Sequence, residues 1–414
     1  MEKNGRFGKG FVCGMLVSAV VAGAGTGISQ NIPKKNKTLP KTEDAADVRL
    51  DLDTEKVDEK LEKIEQIINE NYLNEVDTDA IEEGLYKGMI GGLGDPYAAY
   101  YTQDELKKLR ESTSGAYQGI GAKLSQDPNS GVIKVVTCFE GTPAQKAGLQ
   151  PGDILYTVNG TEVTGKDLTD VVSLIKTAEG DHVHMQIVRD GENDYLEFDV
   201  ERSEVSVPTV AYKMMDDNIG YIAISEFDEV TAEQFRNALT DLEGQGMEKL
   251  IIDLRNNLGG LLDTCCEMLR QILPEGLIVY TEDKDGNREE YKCDGANAFT
   301  KPMAVLVNSY SASAAEIFSG AVKDYGIGTL VGTKTFGKGI VQRIVGMDDG
   351  TAVKLTISKY FTPNGTDIHQ KGIEPDVTVE LDDSLKNKVT ITVEEDNQLQ
   401  KAISILQEEK QNAE

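Results

Sequence analysis

The chain has 414 residues, too many for one ordinary domain, so two or three domains are expected. Acidic residues outnumber basic ones 71 to 42, for a net charge of −29. A field of that sign repels nucleic acid and anionic membrane surfaces, which sets nucleic-acid binding aside. The five cysteines (Cys13, Cys138, Cys265, Cys266 and Cys293) show no CxxC spacing, so zinc is not indicated and buried free thiols are expected.

The chain opens on Lys3, Arg6 and Lys9, followed by an uncharged Ala, Gly and Val-rich run from Phe11 to Ile28. That length lies between a signal-peptide core and a spanning helix, and no polar face suits it to a buried core helix. Residues 1–29 read as an uncleaved signal anchor in preference to a cleaved signal peptide. Lys34, Lys35, Lys37 and Lys41 follow closely, so charge counting does not orient the anchor. Residues 30–50 read as a flexible linker. Over 51–112 the pattern turns helical. Val57, Leu61, Ile64, Ile67 and Ile68 recur at three- and four-residue spacing, a second helix spans about Thr78 to Ile90, and Thr102-x-x-Glu105 predicts a capping box for a third. This region is expected to pack on the main body or to pair two subunits.

From 113 to 203 short strands alternate with turns. Strands are expected over Val132–Val136, Ile154–Val158, Val183–Val188 and Leu196–Val200, and helices near Ala144–Ala147 and Leu168–Thr177. Beyond Arg202, over 204–382, strands and amphipathic helices alternate as in an α/β layer fold. The strands are Ile219–Ile224, Leu250–Leu254, Val305–Val307, Thr329–Val331 and Ala352–Tyr360. The first long helix is Thr231–Leu242, and a polar hairpin turns at Asp285-Gly286. The stretch 383–414 is strongly charged and reads as an exposed helix or an oligomer contact.

The chemistry concentrates between Val305 and Gln342. A buried strand runs into a polar turn with Ser309, Ser311 and Ser313, and then into a helix at Ala314. A serine at such a turn lies beside the free amides of a helix start, which can stabilise an oxyanion. Lys338 sits between two glycines and is followed by Ile340-Val341. Only three histidines exist, His182 and His184 on a strand and His369 in a polar loop, and there is neither HExxH nor GxSxG. A serine nucleophile here needs another base, and a buried lysine of lowered pKa can serve. Local chemistry leaves the three serines as rivals, and a surface lysine in a glycine turn remains open for Lys338.

Two resemblances narrow these choices. Gly119-Ile120-Gly121, Gly141-Thr142-Pro143-Ala144, Ala147-Gly148-Leu149, Pro151-Gly152-Asp153 and Asn159-Gly160 resemble a PDZ domain. That implies binding of an extended peptide, with Gly119, Ile120 and Gly121 holding its C-terminal carboxylate. Asp253-Leu254-Arg255-Asn256-Asn257-x-Gly259-Gly260, Ser311-Ala312-Ser313-Ala314-Ala315-Glu316 and Thr335-Phe336-Gly337-Lys338-Gly339-x-x-Gln342 resemble the carboxy-terminal processing, or tail-specific, proteases of peptidase family S41. So does Tyr360-Phe361-Thr362-Pro363-Asn364-Gly365.

The resemblance implies a multidomain α/β protein: an N-terminal membrane segment, a helical region, a PDZ domain and a ClpP/crotonase-like α/β catalytic core. It implies Ser313 as nucleophile, Lys338 as general base and Gln342 orienting the lysine. The amides of Ala314 and of Gly259 or Gly260 would form the oxyanion hole. Glu316 is given no chemistry beyond complementing the helix dipole. No metal or other cofactor is implied. Expected partners are protein substrates with exposed C-termini, the membrane and, as a further option, a second copy of the chain. The expected location is the bacterial cell membrane with the body extracytoplasmic, or secretion if the leader is cleaved. Alanine at 315, where the family often has serine, keeps a small residue. Lys176-Thr177-Ala178-Glu179-Gly180 replaces a commoner Arg-Gly turn, which puts a regulatory arginine contact in doubt. The rival reading is a non-catalytic PDZ scaffold on a protease-like body.

Overall fold

A computed structural model describes residues 50–177, 179–386, 388 and 390–413. The leader 1–29 lies outside the described residues. Among those described, no helix is long and apolar enough to cross a membrane.

The main body is built on a six-stranded sheet. Its antiparallel edge pair, Val210–Met215 and Ile219–Ile224, is followed by parallel strands Lys249–Asp253, Met303–Val307, Thr329–Gly332 and Val377–Thr378. Every residue of Lys249–Asp253 and of Met303–Val307 is buried. Strands covered on both faces need no polar alternation, which is why they read as unbroken apolar runs.

One face is covered by helices Thr231–Gly244, Leu262–Leu269 and Ala314–Tyr325. The first buries Ala232, Phe235, Ala238 and Leu242, spaced three and four apart so that they share one stripe. Phe235 meets Phe318 edge-on at 6.3 Å between ring centres. The opposite face is covered by the C-terminal helix Asn397–Ala413, whose Leu399, Ala402 and Leu406 pack with Ile219, Ile251, Ala304 and Leu306. The expectation of an exposed tail is corrected here. The helix is charged on one side, but its apolar stripe covers a sheet face that would otherwise meet water. A buried fork fastens its start, where Arg255 bonds Asp253 on one side and Asp396 on the other, at 2.6 and 2.8 Å from Nη2.

A second sheet carries Ala99–Tyr101, Gly276–Asp283, Arg288–Cys293, Ile340–Gly346 and Ala352–Phe361. The hairpin expected at Asp285-Gly286 is part of it. The PDZ-like body has its own core, with Ile133, Val158, Val183 and Val200 among its buried residues. Its sheet is ordered from the edge strand Ala122–Gln126 through Ile133–Cys138, Ile154–Val158 and His182–Val188 to Leu196–Glu201.

Helices Thr54–Asn71 and Thr78–Gly91 bury no residue, and Val57, Ile64, Ile67, Ile81, Leu85 and Met89 are exposed. The third helix, Gln103–Ser114, has the expected capping box, with reciprocal bonds between Thr102 and Glu105 at 2.9 and 3.2 Å. The four described cysteines are free thiols.

Candidate active site

Ser313 stands at the N-terminus of helix Ala314–Tyr325, after strand Met303–Val307. Its backbone has φ 58° and ψ −116°, a conformation that costs a non-glycine residue about 1–3 kcal/mol. No sequence motif announced this strained turn. The residue is fully buried, and its Oγ makes no hydrogen bond of good geometry, although the Tyr360 hydroxyl stands beside it. The other two serines differ. Ser309 is exposed. Ser311 Oγ donates to Leu254 O at 2.7 Å and accepts from Asn308 N at 2.9 Å, so it clamps the turn.

Lys338 lies in the loop Thr335–Gly339, which leads into strand Ile340–Gly346. This loop departs from strand Thr329–Gly332, the parallel neighbour of the strand that delivers Ser313. Adjacent strands thus start both segments toward one place, and a buried carboxylate completes the approach. Glu316 Oε2 accepts from Ser313 N at 2.9 Å and from Lys338 N at 2.8 Å. Its Oε1 accepts from Thr335 Oγ1 at 2.6 Å and Gly337 N at 2.7 Å. Burial pushes the Glu316 pKa up, against these four donors, which favour the anion. Its side chain is therefore a clamp between the serine turn and the lysine loop. Ser313 is three residues from Glu316, but sequence reasoning missed the clamp because its other three donors lie 19 to 22 residues away.

Lys338 is 3% exposed. Burial first, and then the charge of Lys354, lower its pKa to about 8, while Glu316 and Asp95 act in the opposite direction. The Tyr97 ring centre is 4.8 Å from its Nζ. Tyr360 is fully buried, its hydroxyl donates to the Lys338 carbonyl, and burial holds its pKa well above the usual phenol value. Gln342 is also buried; its Nε2 reaches Thr356 Oγ1 only at 3.5 Å, and its Oε1 has no hydrogen bond.

The loop after strand Lys249–Asp253 closes on the serine turn. Gly259 has φ 104°, and a Cβ there would stand 2.7 Å from Ser313 Cβ and 3.0 Å from Ala314 N. Only glycine permits that approach. The Gly259 amide donates to Asn257 Oδ1 at 2.8 Å. Ala314 N–H is the first amide of its helix and has no acceptor within it. Asp253 and Arg255, prominent in the sequence, face the C-terminal helix instead. A cleft of about 740 Å³ borders the lysine loop, with Pro96, Tyr97, Phe336, Ile340 and His369 in its walls. His182 and His184 are remote, exposed on the PDZ-like sheet within 3.1 Å of Asp199.

The PDZ-like body carries a separate apolar groove of about 210 Å³ between the edge strand Ala122–Gln126 and helix Leu168–Lys176. Tyr117, Ile120, Leu124, Val172 and Ile175 line it, and Gly119 lies at one end. The loop Gly119–Gly121 is fixed through its carbonyls, Ile120 O accepting from Ala144 N and Gly121 O from Phe139 N at 2.8 and 2.9 Å.

Comparison with known proteins gives three family matches: peptidase family S41 over residues 218–379, a PDZ domain over 135–189, and the activating protease CtpB N-terminal domain over 15–105. The carboxy-terminal processing protease CtpB of Bacillus subtilis (strain 168) is 36% identical over 377 residues, covering 89% of this chain and 78% of that protein. CtpA of the same organism is 39% identical over 329 residues, covering 79% and 70%. A solved S41 protease from Bacteroides fragilis aligns with TM-score 0.50 and 17% identity over 82% of this chain and 93% of that one, a likeness of fold. With this identity sustained over most of both bacillary proteins, the chain belongs to the carboxy-terminal processing serine proteases of peptidase family S41, with a PDZ domain in a multidomain α/β framework.

Proposed function

We propose that the protein is an endopeptidase working through a Ser313–Lys338 dyad and cutting protein substrates near their C-termini. The observation that carries this is the shared bond of Glu316 Oε2 to the amides of Ser313 and Lys338, which joins a strained, buried serine to a buried lysine of lowered pKa. Ser313 Oγ attacks the scissile carbonyl and passes its proton to neutral Lys338 Nζ. The oxyanion forms against the Ala314 amide. The Gly259 amide is engaged by Asn257, which favours Gly260 as the second donor. Lys338 then protonates the leaving amine, takes a proton from the water that attacks the ester, and returns it to Ser313 Oγ as the acyl bond breaks. Gln342 orients the lysine from its buried place on the following strand.

Ser313 has no exposure, so a substrate carbonyl reaches it only after its cover moves. Incubation of the purified chain with casein tests the reading. Cleavage is expected, and a chain that binds casein without cutting it would favour the PDZ scaffold.

The groove beside the free edge of Ala122–Gln126 supports capture of a substrate C-terminus as an added strand, with Gly119, Ile120 and Gly121 at its carboxylate. A Cβ on Gly121 would fall 2.3 Å from Thr142 Cβ at φ 78°, so a substitution there disturbs the fold as well as the groove. Val172→Asp is the cleaner variant, because the residue is half-buried in the groove wall. It is expected to weaken binding of a peptide with an apolar C-terminus at least about tenfold by placing a charge against apolar side chains. Unchanged affinity in a titration would remove the groove from substrate capture.

The exposed apolar residues of the two N-terminal helices support a homo-oligomer, which a sedimentation measurement reading only monomer at micromolar concentration would contradict. The run Phe11–Ile28 supports a membrane anchor, and a body outside the cytoplasm follows from the proposed activity, not from the flanking charges. Recovery of the full chain only in the soluble cytoplasmic fraction would count against it.

A further inference from the structure

The N-terminal region joins the second sheet of the body through strand Ala99–Tyr101, which pairs antiparallel with Ala352–Phe361 and sets Ala99 opposite Lys354. The turn before this strand is fixed by Asp95. Its Oδ1 accepts from Tyr97 N at 2.9 Å, and its carbonyl accepts from Ala98 N at 3.2 Å. So held, the Tyr97 ring centre is 4.8 Å from Lys338 Nζ, within cation–π range. Tyr97 is half-buried and walls the cleft together with Pro96. Four residues on, the Tyr101 ring lies 5.4 Å from Nζ of Lys354, the second lysine of the site. One short segment from outside the catalytic core thus places an aromatic ring against each lysine.

We propose that Tyr97 is a positioning residue of the active site, a cover supplied by the N-terminal region that excludes water from Lys338 Nζ and orients it. The inference rests on the reading of Lys338 as base. It adds that the core alone does not make a complete site. The charged groups that shift Lys338 include Glu316 from the serine helix, Asp95 from the same turn as Tyr97, and Lys354 from strand Ala352–Phe361; Tyr360 of that strand bonds the lysine's carbonyl. The ring has two opposing effects. Its face favours the ammonium, and its exclusion of water disfavours it. Tyr97 walls the cleft beside a lysine that is only 3% exposed, so removing the ring opens Nζ to water, and its solvation favours the ammonium.

The test uses the full chain with Tyr97→Phe, Tyr97→Ala and Tyr97→Gln. Lys338 ionisation is read directly, by the pH dependence of its acetylation with acetic anhydride in mass spectrometry, beside the pH profile of kcat/KM. Tyr97→Phe keeps the cover and is expected to leave both midpoints in place. Tyr97→Ala and Tyr97→Gln admit water and are expected to raise the acetylation midpoint by about one pH unit, which lowers kcat/KM near pH 7 about tenfold. The glutamine variant keeps the test available if the alanine variant does not fold. An acetylation midpoint unmoved in a folded alanine or glutamine variant would overturn the proposal. A midpoint that rises while the kcat/KM profile stays fixed would uphold the cover and sink Lys338 as the base.

Discussion

Ser313→Ala and Lys338→Ala are each expected to abolish turnover of an unfolded protein substrate. Loss of the lysine removes the general base and the acid for the leaving amine, worth about 10³-fold. Loss of the serine removes the nucleophile, and the expected fall is roughly 10⁴-fold or more. The two groups act in one step, so the double variant should be little worse than Ser313→Ala. The lowered lysine pKa gives the same mechanism a pH signature. Free lysine titrates near 10.5, and Lys338 near 8. Below that value the ammonium persists and cannot take the serine proton, so kcat/KM should fall about tenfold per pH unit on the acid side of 8. Initial rates of the variants on casein, and a wild-type profile from about pH 6 to 9, measure both. Full activity in either variant, or a flat profile, would sink the dyad.

Glu316→Ala is expected to damage activity and stability together. Four donors converge on the carboxylate: the amides of Ser313, Gly337 and Lys338 and the hydroxyl of Thr335. A buried donor left unsatisfied costs about 1–3 kcal/mol. Some relaxation is expected, so the total should be about 4 kcal/mol or more, at the extreme of single substitutions. Glu316→Gln separates charge from shape. An amide has one acceptor oxygen where the carboxylate has two. With that oxygen facing Ser313 N and Lys338 N, its NH₂ meets Thr335 Oγ1 and Gly337 N. The threonine hydroxyl can turn to accept, but the Gly337 amide cannot. The expected cost is therefore about 1–3 kcal/mol, with a smaller loss of turnover than in the alanine variant. Urea unfolding and casein rates on both variants provide the check. Wild-type stability in Glu316→Ala would show that the clamp carries no weight.

Local features of the chain were readable wherever the interacting residues are neighbours in sequence. The capping box at Thr102 and Glu105 spans three residues, and both of its bonds form. The stripe from Ala232 to Leu242 lies within one helix. The run Met303–Val307 is continuous because both faces of the strand are covered. The C-terminal helix misled for the opposite reason. Its charges are local, but whether Leu399 and Leu406 meet water depends on a sheet assembled from residues about 70 to 190 positions earlier.

The sequence alone carried the alternation of α/β elements, the serine turn and the lysine loop, because propensity and turn chemistry act over a few residues; the PDZ-like body and the choice of Ser313 with Lys338 came from resemblance to known families. Tertiary structure distinguished the three serines by hydrogen bonding: Ser311 clamps the turn, Ser309 faces water, and Ser313 is strained with an unpaired hydroxyl. It also supplied the Glu316 clamp and the Tyr97 cover, the latter from a segment more than two hundred residues before the lysine. A carboxylate's partners and a lysine's pKa depend on which groups share a buried volume. That sharing is settled only when distant segments pack and water is excluded.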